Sequence, residues 1–208
     1  MVMPLERHWT TAAVRELTRE DRPWPRYELI GDELLVTPAP RGPHQTAAFA
    51  IAKLLDAYSS AQRIGVTMMS PADLELRRGT ITQPDVFVVP RGISNATGPA
   101  EWSEITALLL AVEVLSDSSV RTDRVLKRDF YLANHVEEYW VVDTDARAIE
   151  RWRPEQTTPE LVRDSLVWQP RGGEPLVIDV AALFDRIEEQ WAEVRTMRLA
   201  LQVPPSAQ

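Results

Sequence analysis

Apolar residues along this chain alternate between two spacings, and the changes of spacing divide it into strands and helices. Residues 26–30 and 33–37 are strand-like runs on either side of Gly31-Asp32 and predict a β-hairpin. Three prolines, Pro38, Pro40 and Pro43, with Gly42 among them, break the pattern. From His44 onward apolar residues return at Ala47, Ala48, Ile51, Leu54, Leu55 and Tyr58, the spacing of one helix face. His44 extends that face by one turn, so it points inward at the start of the helix. Short strands are expected at 66–69 and, from clean alternation, at 73–77, with a turn at Arg78-Gly79-Thr80. An apolar strand follows Asp85, a loop covers 90–103, and a second apolar strand runs within 105–115. Ser116-Asp117-Ser118-Ser119 caps a helix predicted over about 121–134. Strands at 138–143 and 148–152 flank a turn centred on Asp145, further strands lie near 161–168 and 175–178, and 187–201 is helical. This order predicts an α/β protein: a mixed β-sheet core flanked by helices, with an N-terminal β-hairpin and a C-terminal helix. The expected divisions are a polar extension over 1–25, one domain over 26–185, and a C-terminal helix and tail over 186–208.

Two acids interrupt the apolar strands. Asp85 stands in Gln83-Pro84-Asp85-Val86-Phe87-Val88-Val89, and Glu113 in Leu110-Ala111-Val112-Glu113-Val114-Leu115-Ser116. A carboxylate is costly to bury without a partner. Two of them in neighbouring apolar strands therefore call for a cation between them, and a divalent metal bound by oxygen ligands is the simplest one. A lone ion pair with an arginine would explain either acid separately, but the pair less well. If the two strands are antiparallel neighbours, both carboxylates come to one edge. Lys127 follows on the next helix, four residues from both Asp123 and Tyr131, so these three share a face. Leu126, Phe130 and Ala133 form the adjoining face, expected to press on the sheet.

Composition narrows the setting. A chain of 208 residues suits one domain with a substantial core. Without cysteine, structural disulfides and thiolate zinc sites are excluded, which fits a reducing cytoplasm. No apolar run has the length of a membrane span and the first residues lack a signal-peptide core, so a cytoplasmic protein without a membrane partner is expected. The formal net charge of −8 argues against a broadly nucleic-acid-binding surface. A nuclease, however, needs only a local basic cleft, and Arg121, Arg124, Lys127 and Arg128 form one basic cluster. The other reading of that cluster is a solvated helix face balanced by Asp123 and Asp129.

Two carboxylates and a lysine near a strand edge suit phosphodiester hydrolysis. The acids can hold Mg²⁺, with Mn²⁺ as a substitute, to polarise a phosphate oxygen and acidify a water. The lysine can orient that water or offset charge developing on the phosphorane.

The blocks also occur in a recognisable order: Tyr27-Glu28-Leu29-Ile30-Gly31-Asp32, His44-Gln45, Pro84-Asp85-Val86, Val112-Glu113-Val114-Leu115-Ser116, Asp123…Lys127…Tyr131, then Glu138-Tyr139-Trp140-Val141-Val142-Asp143. This series resembles the Uma-two family of bacterial restriction-endonuclease-like proteins, within the PD-(D/E)XK nuclease superfamily, from about Tyr27 to Trp152. The resemblance implies a restriction-endonuclease-like core and a Mg²⁺-dependent DNA endonuclease. Asp85 and Glu113 would be the metal ligands, Glu28 the upstream acid completing the metal shell, and Lys127 the helix-borne catalytic lysine. The superfamily usually sets its lysine two residues after the second acid, where this chain has Leu115. His44, Arg121 and Arg124 are the candidate substrate contacts. For His44 the competing reading is a hydrogen-bonded histidine on an inward helix face, and for Glu28 a solvated strand face. Asp123 and Tyr131 are read as structural partners of Lys127, Asp143 as a turn residue, and Trp140, Trp152 and Trp168 as packing residues. A homodimer is expected, because cutting two strands favours two sites related by a twofold axis. Two other functions stay open: a catalytically idle nuclease-like module that binds nucleic acid or protein, and a metal-dependent hydrolase of small phosphoesters.

Overall fold

The structure, a computed structural model, describes residues 8–17, 24–92 and 102–201. Its elements are α1 (Thr11–Leu17), β1 (Arg26–Ile30), β2 (Glu33–Thr37), α2 (Gly42–Gln62), β3 (Gly65–Met69), β4 (Val86–Pro90) and β5 (Leu110–Val114). A π-helical turn (Thr122–Lys127) then runs into α3 (Arg128–Ala133). β6 (Tyr139–Asp143), β7 (Ala148–Trp152), β8 (Glu160–Val162), β9 (Ser165–Trp168), β10 (Leu176–Asp179) and α4 (Val180–Leu201) complete the chain.

Six strands form one mixed sheet in the order β3-β4-β5-β6-β7-β8. Every neighbouring pair is antiparallel except β5 and β6. A parallel pair needs a crossover, and the helix formed by the π turn and α3 supplies it. That connection fixes the geometry of the site, because it carries the helix back across the sheet face from which Glu113 projects.

β5 is buried along its whole length, and its residues alternate between two cores. Leu110, Val112 and Val114 pack with Ala47, Ile51 and Leu55 of α2, Leu183, Phe184 and Ile187 of α4, and Trp168 and Ile178 of the β9–β10 hairpin. Ala111 faces the other way, with Phe87, Tyr139, Val141, Phe130 and Tyr131. A third, small cluster of Val14, Leu29 and Ile81 joins α1 to the β1–β2 hairpin. Leu29 also bridges to Ile81, which ties the hairpin to the loop leading into β4.

The expected hairpin at 26–37, the helix from residue 44, and the paired strands at 138–143 and 148–152 are all present. Trp140, Trp152 and Trp168 are buried packing residues.

Several expectations change. Residues 73–77 form no ladder: Leu74 makes a single bridge to Thr82, while Leu74 and Leu76 are buried. The alternation there reports a segment with one buried side, not a paired strand. The run at 161–168 divides into β8 and β9, which belong to different sheets. Ala133 is exposed, and Leu126 and Phe130 alone of the proposed face pack on the sheet. The last helix starts at Val180 rather than residue 187, because Asp179 Oδ1 accepts the Ala182 amide at 2.9 Å and caps it. Among the described residues no helix is long and apolar enough to cross a membrane.

Candidate active site

The β4–β5 pairing sets Val86 against Val112 and Phe87 against Ala111, so one step further along that register brings Asp85 beside Glu113 on the same face. Asp85 then extends the pairing with its side chain, since Oδ2 accepts the Val114 amide at 2.9 Å. Glu28 arrives from β1, held by the Gln83 amide, which donates to its Oε1 at 2.8 Å. Lys127 comes from the last position of the π-helical turn. Four separate elements thus deliver Glu28, Asp85, Glu113 and Lys127 to one cavity of about 200 Å³, also lined by Arg26, His44, Asp123, Ser116 and Ser119.

All four are buried, with 2 to 6 % of their surface exposed. Such charges persist only when paired, and each has partners. Lys127 Nζ lies 2.8 Å from Glu28 Oε2, 3.0 Å from Glu113 Oε1 and 3.8 Å from Asp123 Oδ1. Tyr131 donates its hydroxyl to Glu113 Oε1 at 3.0 Å. Asp85 meets Arg26 Nη2 at 3.2 Å through Oδ1 and His44 Nε2 at 3.1 Å through Oδ2. Asp123 is buried too, and Tyr139 donates its hydroxyl to the Asp123 carbonyl at 3.0 Å. The π turn serves this arrangement, since Asp123, Lys127 and Tyr131 all face inward. π turns inside helices are frequent at functional sites.

The two halves of the cluster differ electrostatically. Burial would raise Asp85, but the hydrogen bond and charge of His44, with Arg26 and Lys127, overcome it and hold the carboxyl at about 2. Burial pushes Glu113 well above its ordinary range; Lys127 opposes this, while Asp85, Asp123 and Glu28 add to it. Burial likewise pushes Asp123 up to about 6 against the pull of Lys127. For Lys127 burial acts downward, but Glu113, Glu28 and Asp123 outweigh it and hold the ammonium charged well above its usual range. These directions agree physically. Glu113 and Asp123 both face the single ammonium of Lys127, so the lysine keeps its proton while burial favours the neutral form of these two carboxyls.

Two of the anticipated substrate contacts lie elsewhere. Arg124 binds Asp143 Oδ2 at 2.9 Å and, through Nε, Glu150 Oε1 at 2.7 Å. Arg121 is exposed at the start of the helix, and neither arginine lines the cavity. His44 does line it. Asp143 has the turn role expected of it, accepting the Ala146 amide at 2.8 Å, besides pairing with Arg124. Arg26 escaped the sequence reading. Its signal was period two, since Arg26 and Glu28 occupy alternate positions of β1 and so share a face.

A hard divalent ion suits this donor set in kind, because the acids offer only carboxylate oxygens. The side chains are nevertheless closed on the chain's own cations. Among the described residues no three acidic or histidine groups gather as a ready metal cage. Lys127 Nζ stands between Glu28 and Glu113, and both oxygens of Asp85 are engaged.

The mixed sheet, its flanking helices and this buried cluster define a restriction-endonuclease-like α/β fold. The chain belongs to the Uma2 family, described as "Putative restriction endonuclease", whose match spans residues 12–181. Among solved structures it is similar to a "putative nuclease belonging to DUF820" from Anabaena variabilis ATCC 29413. That similarity has a TM-score of 0.67 and 23% identity, and covers 84% of this chain and 98% of the other. A further similarity is to the type IIG restriction endonuclease BpuSI, with a TM-score of 0.37 and 15% identity over 76% of this chain and 17% of that one. The curated proteins give no match.

Proposed function

We propose that the protein is a divalent-metal-dependent DNA endonuclease, with Asp85, Glu113 and Glu28 holding the ion and Lys127 acting on the scissile phosphate. The observation that carries this reading is the meeting of those four side chains, from β1, the start of β4, β5 and the π turn, in one buried cavity. Membership of a family described as restriction endonuclease supports DNA as the substrate. A bound Mg²⁺ or Mn²⁺ would supply Lewis-acid stabilisation of phosphate charge and a more acidic water.

The chain's own groups have separable tasks. Asp85, held at about 2, is a permanent anion at neutral pH. Arg26, His44 and the Val114 amide fix its orientation. Tyr131 donates to the same Glu113 oxygen, Oε1, that Lys127 meets, and steadies it. Lys127 keeps its ammonium and can donate to oxygen charge that grows in the transition state, a kind of contact whose loss costs about 10²–10³ in rate. A supercoiled plasmid incubated with Mg²⁺ or Mn²⁺ tests the assignment. Wild type should nick or cut it, and Asp85→Ala, Glu113→Ala and Lys127→Ala should each abolish cleavage while remaining folded by circular dichroism. Activity retained in Asp85→Ala would remove the assignment. Cutting both strands calls for two sites, so a homodimer is part of the proposal; double-strand cleavage by a protein that sediments as a monomer would contradict it.

A further inference from the structure

Every charged group in the cavity has a partner within the chain, but the partners are unevenly shared. Asp85 has two basic neighbours, Arg26 and His44, and a backbone amide that cannot move away. Glu28, Glu113 and Asp123 share the single ammonium of Lys127. Asp123 Oδ1 is buried without a hydrogen-bond partner and faces Nζ at 3.8 Å. The lysine half of the site is thus short of positive charge, and its one cation sits between the two glutamates at hydrogen-bond distance. A divalent ion binding carboxylate oxygens approaches them to about 2.0–2.6 Å, which would set it against Nζ as a like charge at close range. Of the groups that could give way, Lys127 is the most mobile, since its ammonium ends a flexible four-carbon stem. The same cavity is also lined by Ser116, Ser118, Ser119 and Thr122.

We infer that Lys127 is a built-in occupant of the metal site: its ammonium holds Glu28 and Glu113 in place until a divalent ion displaces it into the cavity, where it meets the substrate phosphate. The lysine is then released for work on the substrate only in molecules that have already taken up the ion. Its position on a helix, rather than on the β5 strand two residues after Glu113, gives it this freedom. The inference rests on the metal-dependent reading above, and adds to it that the ion and the lysine compete for the same carboxylates.

Two measurements on the full chain without DNA test it. The first is Mn²⁺ titration calorimetry of wild type and Lys127→Met. With the competing ammonium gone, the variant should bind Mn²⁺ about tenfold more tightly. The second uses wild type alone, so it stands even if the variant fails to fold. The chain has only two lysines, Lys53 and Lys127. Lys53 is exposed on α2 and Lys127 is buried, so an amine-acetylating reagent read by mass spectrometry has an internal control. Mg²⁺ should accelerate acetylation of Lys127 and leave the rate at Lys53 unchanged. Mn²⁺ binding with equal or weaker affinity in Lys127→Met, or Lys127 labelling unmoved by Mg²⁺, would overturn the exchange while leaving the metal site standing. Absence of Mn²⁺ binding to both proteins would overturn the metal site and the exchange together.

Discussion

Replacing Arg26 by methionine keeps most of the aliphatic stem and removes the guanidinium, whose carbon sits 4.6 Å from the Trp24 ring centre. Among the described residues the sole partner of Asp85 Oδ1 is Arg26 Nη2, at 3.2 Å, whereas Oδ2 keeps the Val114 amide and His44. The substitution therefore strands one oxygen of a buried carboxylate. Breaking a buried pair by removing one partner typically costs about 3–5 kcal/mol, and an unsatisfied buried acceptor about 1–3 kcal/mol. Because two donors remain on Oδ2, a loss of about 2–3 kcal/mol is expected. Urea unfolding at pH 7 in EDTA measures it, and a double-mutant cycle with Asp85→Asn isolates the pair. In the Asp85→Asn background the arginine should contribute little. Asp85 is lowered from an ordinary 3.8 to about 2, so its stabilisation is present above about pH 4 and disappears as the pH falls towards 2. The gap between wild type and Arg26→Met should close over that interval. A loss of the same size in the Asp85→Asn background would refute the reasoning.

Other outcomes follow from the same geometry. Asp123 is raised from an ordinary 3.8 to about 6, so the folded chain holds this proton more tightly than the unfolded chain. The corresponding stability, on the order of 3 kcal/mol for a rise of about two units, is present below about pH 4 and lost as the pH climbs towards 6. Urea midpoints between pH 4 and 7 in EDTA should fall less steeply for Asp123→Asn than for wild type, and equal slopes would contradict the assignment. At Gly42, in the first turn of α2, a Cβ would fall 1.9 Å from the Trp191 ring of α4. Gly42→Ala should lower stability by about 1–3 kcal/mol despite alanine's better helix propensity. A raised urea midpoint would show that Trp191 moves aside freely.

The sequence carried the acids and the lysine more clearly than it carried their partners. Asp85 and Glu113 stood out because carboxylates rarely interrupt apolar strands, and the antiparallel register of β4 and β5 does bring them together. The i, i+4 spacing put Asp123, Lys127 and Tyr131 on one face, and all three are buried. Arg26 was missed because period two within β1 shows only that it shares a side with Glu28. The approach of the hairpin to the start of β4 is a tertiary fact, made by the Leu29–Ile81 bridge. Arg121 and Arg124 illustrate the reverse case. A cluster of basic residues in sequence separates in space, with Arg124 turned to Asp143 on β6 and Glu150 on β7. Residues 73–77 alternate like a strand because one side is buried, yet alternation does not supply a hydrogen-bonding neighbour. The start of α4 was legible in principle, since Asp179 is a good N-cap, but its first turn, Val180 to Leu183, is as apolar as a strand. The π turn left no periodicity of its own, being a single turn within a longer helix.

The central claim, that Glu28, Asp85 and Glu113 form a divalent-ion site, is tested most directly by anomalous diffraction from crystals of the full chain soaked in Mn²⁺. The account predicts an anomalous peak among those three carboxylates, with Lys127 Nζ moved off Glu28 and Glu113. A fully soaked crystal with no peak at these residues, and Lys127 still bridging the glutamates, would contradict it.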